Sequence, residues 1–593
     1  MCCMILANCI LLAACSLSAG EAVIPQGTNV APNGDRIDVT SKCLRLNGRP
    51  LIPLTGEMHY SRIPRGEWAK SLATMKEGGI SIVSTYVFWN HHEWREGEWD
   101  FSGNRDLSAF LGEVKKAGLW SVVRIGPWAH GECREGGFPD WLVDKAYDWA
   151  GGDAKKARQL LRSRDARFLA ETKKLFERVA REVAPHFWKN GGAVIGVQLE
   201  NESRGPWPYY QALKKLAVDA GYDVPMYTRT GWPRLNGPET TFGEMIPLYG
   251  DYAEGFWDRE PKSMPGRYKE AFLMRPVRTS TTIATEQLGK QKPGDANGVE
   301  RYPYFTCELG GGMASSYHRR LVMEPMDVFA LAVVKLGSGS NLPGFYMYHG
   351  GTNPTGGGVN MAESQRDRFT NWNDLPSVSY EFMAPISEFG EPQQAYWMIK
   401  ALADFCRENA EELAVADPVF TSEHETRRGK FVFHNDYVRR LRPDGECWIG
   451  VEKDGIVEHI LDGKVLTNAD AQRRREGVLA LRADGLKCLK PAGIPPPVAI
   501  GPNGVATPPE ESAWDAAAEY EVPVGHSDAI IEISYEGDMA RLYADGKLVQ
   551  DDFWKGRPIR YALRRLPPGT KSLVLKVLPW AEGAKEMVFV DIK

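Results

Sequence analysis

Glu200, Asn201 and Glu202 close the run Gly191-Gly-Ala-Val-Ile-Gly-Val-Gln-Leu-Glu-Asn-Glu-Ser-Arg-Gly205. The apolar half of this run reads as a strand buried on both faces. Two carboxylates and an amide at the end of a buried strand are costly to desolvate, and packing alone would not require them. Glu308 ends a second short apolar run in the same manner. A pair of carboxyl groups can divide acid and base work between them, one holding a proton and the other staying ionised. Around them the sequence supplies Tyr, Trp, Asn and His, a set suited to sugar hydroxyls and to the C–H faces of sugar rings. There is no Gly-rich phosphate loop, cysteine nucleophile or metal-ligand spacing, so no cofactor and no metal are expected. The chemistry that fits is cleavage of an acetal by a carboxyl pair.

Such groups need a frame, and from about residue 36 to 400 short apolar strands alternate with amphipathic helices. Strands are expected at 51–60, 81–88, 119–125, 193–199, 224–227, 246–249, 304–307 and 344–348. Helices are expected at 65–78, 106–118 and 166–183, with a closing one at 396–409. Eight strands over this length predict an α/β fold, a (β/α)8 barrel with enlarged loops, whose site lies at the carboxyl ends of its strands. There the sequence places Glu57, His59 and Tyr60; Tyr86, Trp89, Asn90, His92 and Glu93; Trp128, His130 and Glu132; Asn201 and Glu202; Glu308; and Tyr346, Tyr348, His349 and Asn353. Alternation aims Glu200 at the same face as Glu202 but deeper, as a structural group. His91 reads as a packing residue.

Beyond the closing helix, period-two segments between Asp-Gly and Asn-Asp turns predict a β-rich domain at 411–489. A Pro-rich linker is expected at 490–509 and a terminal β-sandwich or jelly roll of antiparallel strands at 510–593. The net charge of −5 excludes a basic nucleic-acid surface and an acidic disordered tail. Residues 4–19 are apolar but short for a membrane span, so 1–20 reads as an export signal. Leu12-Ala-Ala-Cys15 resembles a bacterial lipoprotein box, which would attach the protein to a membrane through Cys15. A periplasmic, outer-surface or secreted protein is expected. The six cysteines outside this leader lack CxxC spacing, which excludes a zinc site and a dense disulfide scaffold but leaves room for one or two bridges.

Several longer motifs resemble glycoside hydrolase family 35, the β-galactosidase family, over residues 45 to 395. They are Gly56-Glu-Met-His-Tyr-Ser-Arg-Ile-Pro64, Thr85-Tyr-Val-Phe-Trp-Asn-His-His-Glu93, Asp100-Phe-Ser-Gly-Asn-Arg-Asp-Leu107 and Arg124-Ile-Gly-Pro127. Gly136-Gly-Phe-Pro-Asp-Trp-Leu142, Gln198-Leu-Glu-Asn-Glu202, Glu308-Leu-Gly-Gly-Gly312 and His349-Gly-Gly-Thr-Asn353 follow in the family's order. The resemblance implies a retaining enzyme with Glu202 as acid/base and Glu308 as nucleophile. It implies that Tyr86, Glu132, Asn201, Tyr346 and Tyr380 contact a terminal sugar, and that the partner is a glycan bearing terminal β-galactose. Three departures bear on substrate: Trp128-Ala-His-Gly-Glu-Cys133, Glu202-Ser-Arg-Gly205 and Ser379-Tyr-Glu-Phe382 differ from the family's usual residues. They leave the reaction in place but leave open an exo-glycosidase for another β-hexose or amino sugar; a carbohydrate-binding relative without catalysis is a separate alternative. Oligomeric state cannot be read from the sequence.

Overall fold

A computed structural model of the chain describes residues 21–203, 205–229, 243–259, 268–278, 301–356, 358–471, 477–525 and 528–592. The expected export segment and Cys15 lie outside the described residues. All eight expected strands form, as β1 (Leu54–Glu57), β2 (Ile80–Tyr86), β3 (Trp120–Gly126), β4 (Val194–Asn201), β5 (Met226–Arg229), β6 (Ile246–Asp251), β7 (Thr306–Gly310) and β8 (Gly344–Tyr346). Each pairs in parallel with its sequence neighbours, and β8 pairs with β1 to close the barrel.

The helices outside the barrel follow from apolar spacing and from their caps. Helix α1 (Trp68–Glu77) follows β1, and α2 (Leu107–Lys116) follows β2 with Asp106 capping the Ala109 N–H at 2.9 Å. Helix α3 (Ala166–Val183) follows β3 and buries Phe168, Leu175, Phe176, Val179 and Val183, one stripe at helical spacing. Asp165 accepts the Arg167 N–H at its start, satisfying a donor that the helix cannot. Helix α4 (Trp207–Asp219) follows β4, α5 (Pro325–Gly337) follows β7, and α6 (Gln394–Leu413) follows β8. Helix α5 is buried on nearly every side because it is sandwiched between the barrel and the domain beyond it.

Inside the barrel, Ile82, Ile195, Ile246, Leu248 and Cys307 form one apolar cluster with Ile37, Val39 and Leu44 of a small N-terminal sheet. That sheet plugs the end opposite the polar strand ends. The open end is left to Tyr86, Arg124, Asn201 and Glu308, which sit later on the same strands.

After α6, five antiparallel strands run in sequence order: β9 (Val419–Ser422), β10 (Glu425–Arg428), β11 (Phe431–Asn435), β12 (Cys447–Lys453) and β13 (Ile456–Asp462). The next two, β14 (Val478–Arg482) and β15 (Lys487–Lys490), pair with strands of the last sheets, β17 (Ile530–Ser534) and β16 (Ala518–Val522). The pairing thus carries 478–490 across the boundary expected at 489. The partner of such a strand is set by tertiary register, not by its own alternation. The pair β14 and β17 is parallel, while β17 also pairs antiparallel with Ile559–Ala562. The remaining strands are β18 (Met539–Ala544), β19 (Lys547–Phe553), β20 (Ile559–Ala562) and β21 (Leu573–Leu578). Within the Pro-rich stretch, Ala499–Ile500 pairs with Ala506–Thr507, and the Thr507 hydroxyl donates to Asp374 at 2.8 Å. No helix among the described residues is long and apolar enough to cross a membrane. Cys43, Cys133, Cys307, Cys406, Cys447 and Cys488 are free thiols.

Candidate active site

The floor of the open end is organised by Arg124, a fully buried cation on β3. Its guanidinium donates to Glu57 of β1 at 3.1 Å, to Asn201 of β4 at 2.9 Å and to Glu308 of β7. It also lies over the Tyr86 ring, 3.8 Å from its centroid. Four strands thereby meet at one planar group, whose several donors suit simultaneous pairing with carboxylate and amide oxygens. Burial opposes the charge of Glu57, yet Arg124 and His59 hold its carboxyl below the usual carboxylate range. Burial raises the Tyr86 phenol well above its ordinary value, so its hydroxyl keeps its proton; that hydroxyl is buried without a protein hydrogen-bond partner. Glu308 also receives the Tyr252 hydroxyl at 3.5 Å.

One wall is made by Glu132, Tyr346 and Tyr380. The two phenols are 3.0 Å apart, Tyr346 donates to Glu132 at 3.5 Å, and Tyr380 donates to the same carboxyl oxygen. Burial raises Glu132 above the usual carboxylate range, with His130 and Tyr380 pulling the other way. Burial, then the nearby Glu132 charge, keep both tyrosines protonated. Arg62 backs this wall, stacked 3.8 Å from the Tyr380 ring centroid and donating to the Gly131 carbonyl at 2.8 Å. His59 fills the space behind Tyr86, Phe88, Tyr346 and Tyr380, and burial lowers its pKa to about 4, leaving a neutral ring.

Glu202 lies beside His130, with Oε2 3.9 Å from His130 Nδ1. His130 also meets Glu363 through Nε2 at 3.0 Å. Glu200 does not share this face, contrary to the alternation argument. Both Glu200 and Glu202 have positive φ, 59° and 49°, and the pairing of β4 with β5 shifts register between Gln198 and Asn201. The period-two rule therefore fails where the strand ends. Glu200 is instead fixed by a bidentate pair with Arg162, at 3.2 and 2.7 Å, and by the Tyr209 hydroxyl at 2.7 Å, which makes it structural as expected. His91 packs as expected, bonded to Ser61 at 2.9 Å and pushed by burial well below its ordinary pKa.

The seven residues that the resemblance implies come to the open end, whereas two others expected at the strand ends turn to α1 instead: His349 bonds to Ser71 at 2.9 Å and Tyr348 donates to the Gly78 carbonyl at 3.5 Å. Tyr86, Asn201 and Glu308 gather at the Arg124 floor, Glu132, Tyr346 and Tyr380 form the wall, and Glu202 lies beside His130. Sequence reasoning passed over Arg124, Arg62 and Glu363. Arg124 had a legible signal, since a lone guanidinium within the apolar strand Val122-Val-Arg-Ile125 must meet carboxylates when buried. Glu363 had none, because it lies in a loop well past β8. Among the described residues no His, Cys, Asp and Glu cluster is arranged to hold a metal ion.

A closed parallel barrel with carboxylates and aromatics at its carboxyl ends defines a (β/α)8 protein with a cleft suited to polyhydroxylated ligands. The chain belongs to the Glycosyl hydrolases family 35, whose pattern matches residues 43–406. It is similar to a β-galactosidase of Xanthomonas manihotis, 30% identical over 359 residues, which cover 60% of this chain and 52% of that protein. A β-galactosidase of Bos taurus is 28% identical over 379 residues, 62% of this chain and 49% of that protein. The chain thus spans about half the length of the curated relatives it matches. Among solved structures, a β-galactosidase from the psychrophilic Marinomonas ef1 is similar at 13% identity and a TM-score of 0.39, over 61% of this chain and 62% of that chain. That likeness is too remote to bear on function.

Proposed function

We propose that the protein is a retaining, exo-acting glycoside hydrolase that removes terminal β-linked galactose from oligo- or polysaccharides. The observation that carries this reading is the shared Arg124 junction. It brings Glu308 of β7 and Asn201 of β4 to one buried guanidinium, with Glu202 next in the chain. In this reading Glu308 attacks the anomeric carbon as a carboxylate, oriented by Arg124. Glu202 gives its proton to the leaving oxygen and then takes one from water as the glycosyl-enzyme is hydrolysed. Tyr86, Glu132, Asn201, Tyr346 and Tyr380 hold the terminal sugar. The apolar leader supports export to the periplasm, outer surface or medium, with a lipid at Cys15 as the anchor in the lipoprotein case.

A second reading is favoured by one observation. Trp128-Ala-His-Gly-Glu-Cys133 and Phe382 both border the Tyr346–Tyr380 wall, and Phe382, 5.4 Å from the Tyr346 ring, offers no hydroxyl. A related β-hexose or amino sugar is therefore the alternative substrate. A panel of aryl β-glycosides separates the two, with galactoside turnover the expected result and a preference for another sugar displacing the galactose reading.

The mechanism is tested with variants. Glu308→Gly should be nearly inactive and regain turnover with azide as an α-glycosyl azide. Glu202→Ala should keep first-step activity on good leaving groups and give the β-azide. Proton NMR of the first wild-type product should show the β-sugar, and α-sugar released first would mean inversion. The carboxyl groups of the pair should lie about 5–5.5 Å apart in a ligand complex.

A further inference from the structure

His130 stands at the point where the loop after β3 departs from the family's usual residues, and it is placed between two carboxylates. Its Nε2 is 3.0 Å from Glu363 Oε2, and its Nδ1 is 3.9 Å from Glu202 Oε2. The other oxygen of Glu363 is committed to the backbone N–H groups of Trp372 and Asn373, at 3.0 and 2.9 Å. Glu363 is therefore a fixed brace rather than a mobile counter-ion. The ring is held as well, stacked on Trp128 at 5.7 Å and edge-on to Trp372 at 5.1 Å. His130 has a backbone φ of 64°, and its backbone N–H donates to the Gly136 carbonyl at 3.1 Å.

We propose that His130, braced by Glu363, is a positioning residue that sets how readily Glu202 releases and recovers its proton. The inference rests on Glu202 being the acid/base. Nε2 is within hydrogen-bond distance of Glu363 at 3.0 Å, and at 3.9 Å Glu202 is an electrostatic neighbour of Nδ1, so the two carboxylates together favour the imidazolium. Burial opposes that charge, but the contacts with Glu202 and Glu363 raise the imidazole well above its ordinary pKa. The groups facing it are Glu202 after β4, Glu363 from the loop after β8 and Glu132 from its own loop. Arg62 bonds to the neighbouring Gly131 carbonyl, and Arg162 lies 4.6 Å over Trp128. Tyr86 shares the field of Glu202 from β2 and stays protonated.

In the first step the bond from the anomeric carbon to the leaving oxygen breaks as Glu308 bonds to that carbon, and the Glu202 proton passes to the leaving oxygen. The carboxylate left on Glu202 then faces the His130 cation, which favours it and makes Glu202 the stronger acid. In the second step water bonds to the anomeric carbon, the Glu308 ester bond breaks and Glu202 takes the water's proton. His130 keeps its own protons throughout.

The test is kcat/KM against pH for aryl β-glycosides with good and poor leaving groups. His130→Asn is the first variant, since Asn tolerates positive φ. Glu363→Gln is the second, and it carries the test should the first fail to fold. Without the imidazolium, Glu202 holds its proton to higher pH, so the basic limb should move up by about 1–3 pH units. At the optimum, poor leaving groups should lose about tenfold while good ones lose little, because only the former need the proton. A structural role alone would lower both leaving groups together and leave the limb in place; that result would overturn the inference. Glu202→Ala separates the two readings. If it abolishes the basic limb while the other variants leave that limb unmoved, only the role of His130 falls. If the limb persists in Glu202→Ala, the acid/base reading falls and the role of His130 with it.

Discussion

Arg124 and Asp551 each hold a candidate sugar-binding group in place, one from within a barrel strand and the other from the terminal domain. Arg124 does it by charge, joining Glu57, Asn201 and Glu308 across the floor. Asp551, on β19, does it by capping backbone. Its carboxylate accepts the N–H groups of Ser377, Val378 and Ser379 at 2.6, 3.0 and 3.0 Å, immediately before Tyr380. Gln550 beside it donates to Glu388 at 3.0 Å, and Glu388 accepts the Ser379 hydroxyl at 2.8 Å. A strand already has its backbone satisfied by the barrel ladder, so only its side chains need fixing. A loop beyond the last strand has orphan donors of its own, and another domain must answer them. The terminal domain thereby fixes the approach to Tyr380 through a buried carboxylate.

The largest expected effect breaks the floor. Arg124→Met leaves Glu57 and Glu308 buried without their cation, which should destabilise the fold by about 3–5 kcal/mol. The kcat/KM of folded enzyme should fall by roughly 10²–10³-fold. Urea unfolding and steady-state kinetics measure both, and near-normal turnover would show that the floor does not depend on charge.

A middle-sized effect belongs to the wall. Asp551→Ala orphans three backbone donors and frees the segment leading to Tyr380. We expect a cost of about 1–3 kcal/mol and a fall in kcat/KM of up to about 10²-fold from misplaced sugar contacts. Lys547→Ala, exposed on the same strand, should stay within about 0.5 kcal/mol of wild type and leave turnover near normal. Equal losses in the two variants would erase the distinction between the buried cap and the outer surface of the domain.

The smallest effect is a difference in sign with pH. Burial raises Glu381, next to Tyr380, to about 8 from an ordinary value of 4.5. The folded state then keeps a proton that the unfolded chain releases, so this group's contribution to stability is full below about 4.5 and is lost as pH rises towards about 8. Glu57 has the opposite sign. Its lowered pKa gives stability above the ordinary carboxylate value that is lost as pH falls through the folded one. Thermal melts from pH 5 to 8 should show a downward slope that Glu381→Gln reduces. An unchanged slope would place its origin elsewhere, Glu254 and Asp367 being raised by burial to about 7 and about 8.

The barrel and its polar strand ends were legible because a parallel strand buried on both faces leaves a short apolar run, and a polar group at its end has one direction to go. That reasoning located Tyr86, Asn201, Glu202 and Glu308. It misdirected Glu200, because two residues with positive φ end the alternation on which the reasoning stood. It could not find Glu363 or Asp551, whose partners lie on other elements.

The sequence by itself determined the eight strands, their order and which strand ends carry the polar residues, since periodicity and burial are local consequences of residue type. Only the tertiary structure decided that Arg124 joins three strands, that His130 lies between Glu202 and Glu363, and that a carboxylate of the last domain holds the approach to Tyr380. Each of these is a pairing of charge or hydrogen bond between distant segments. Nothing in either segment alone names its partner, because the electrostatic gain exists only once folding has removed both from water.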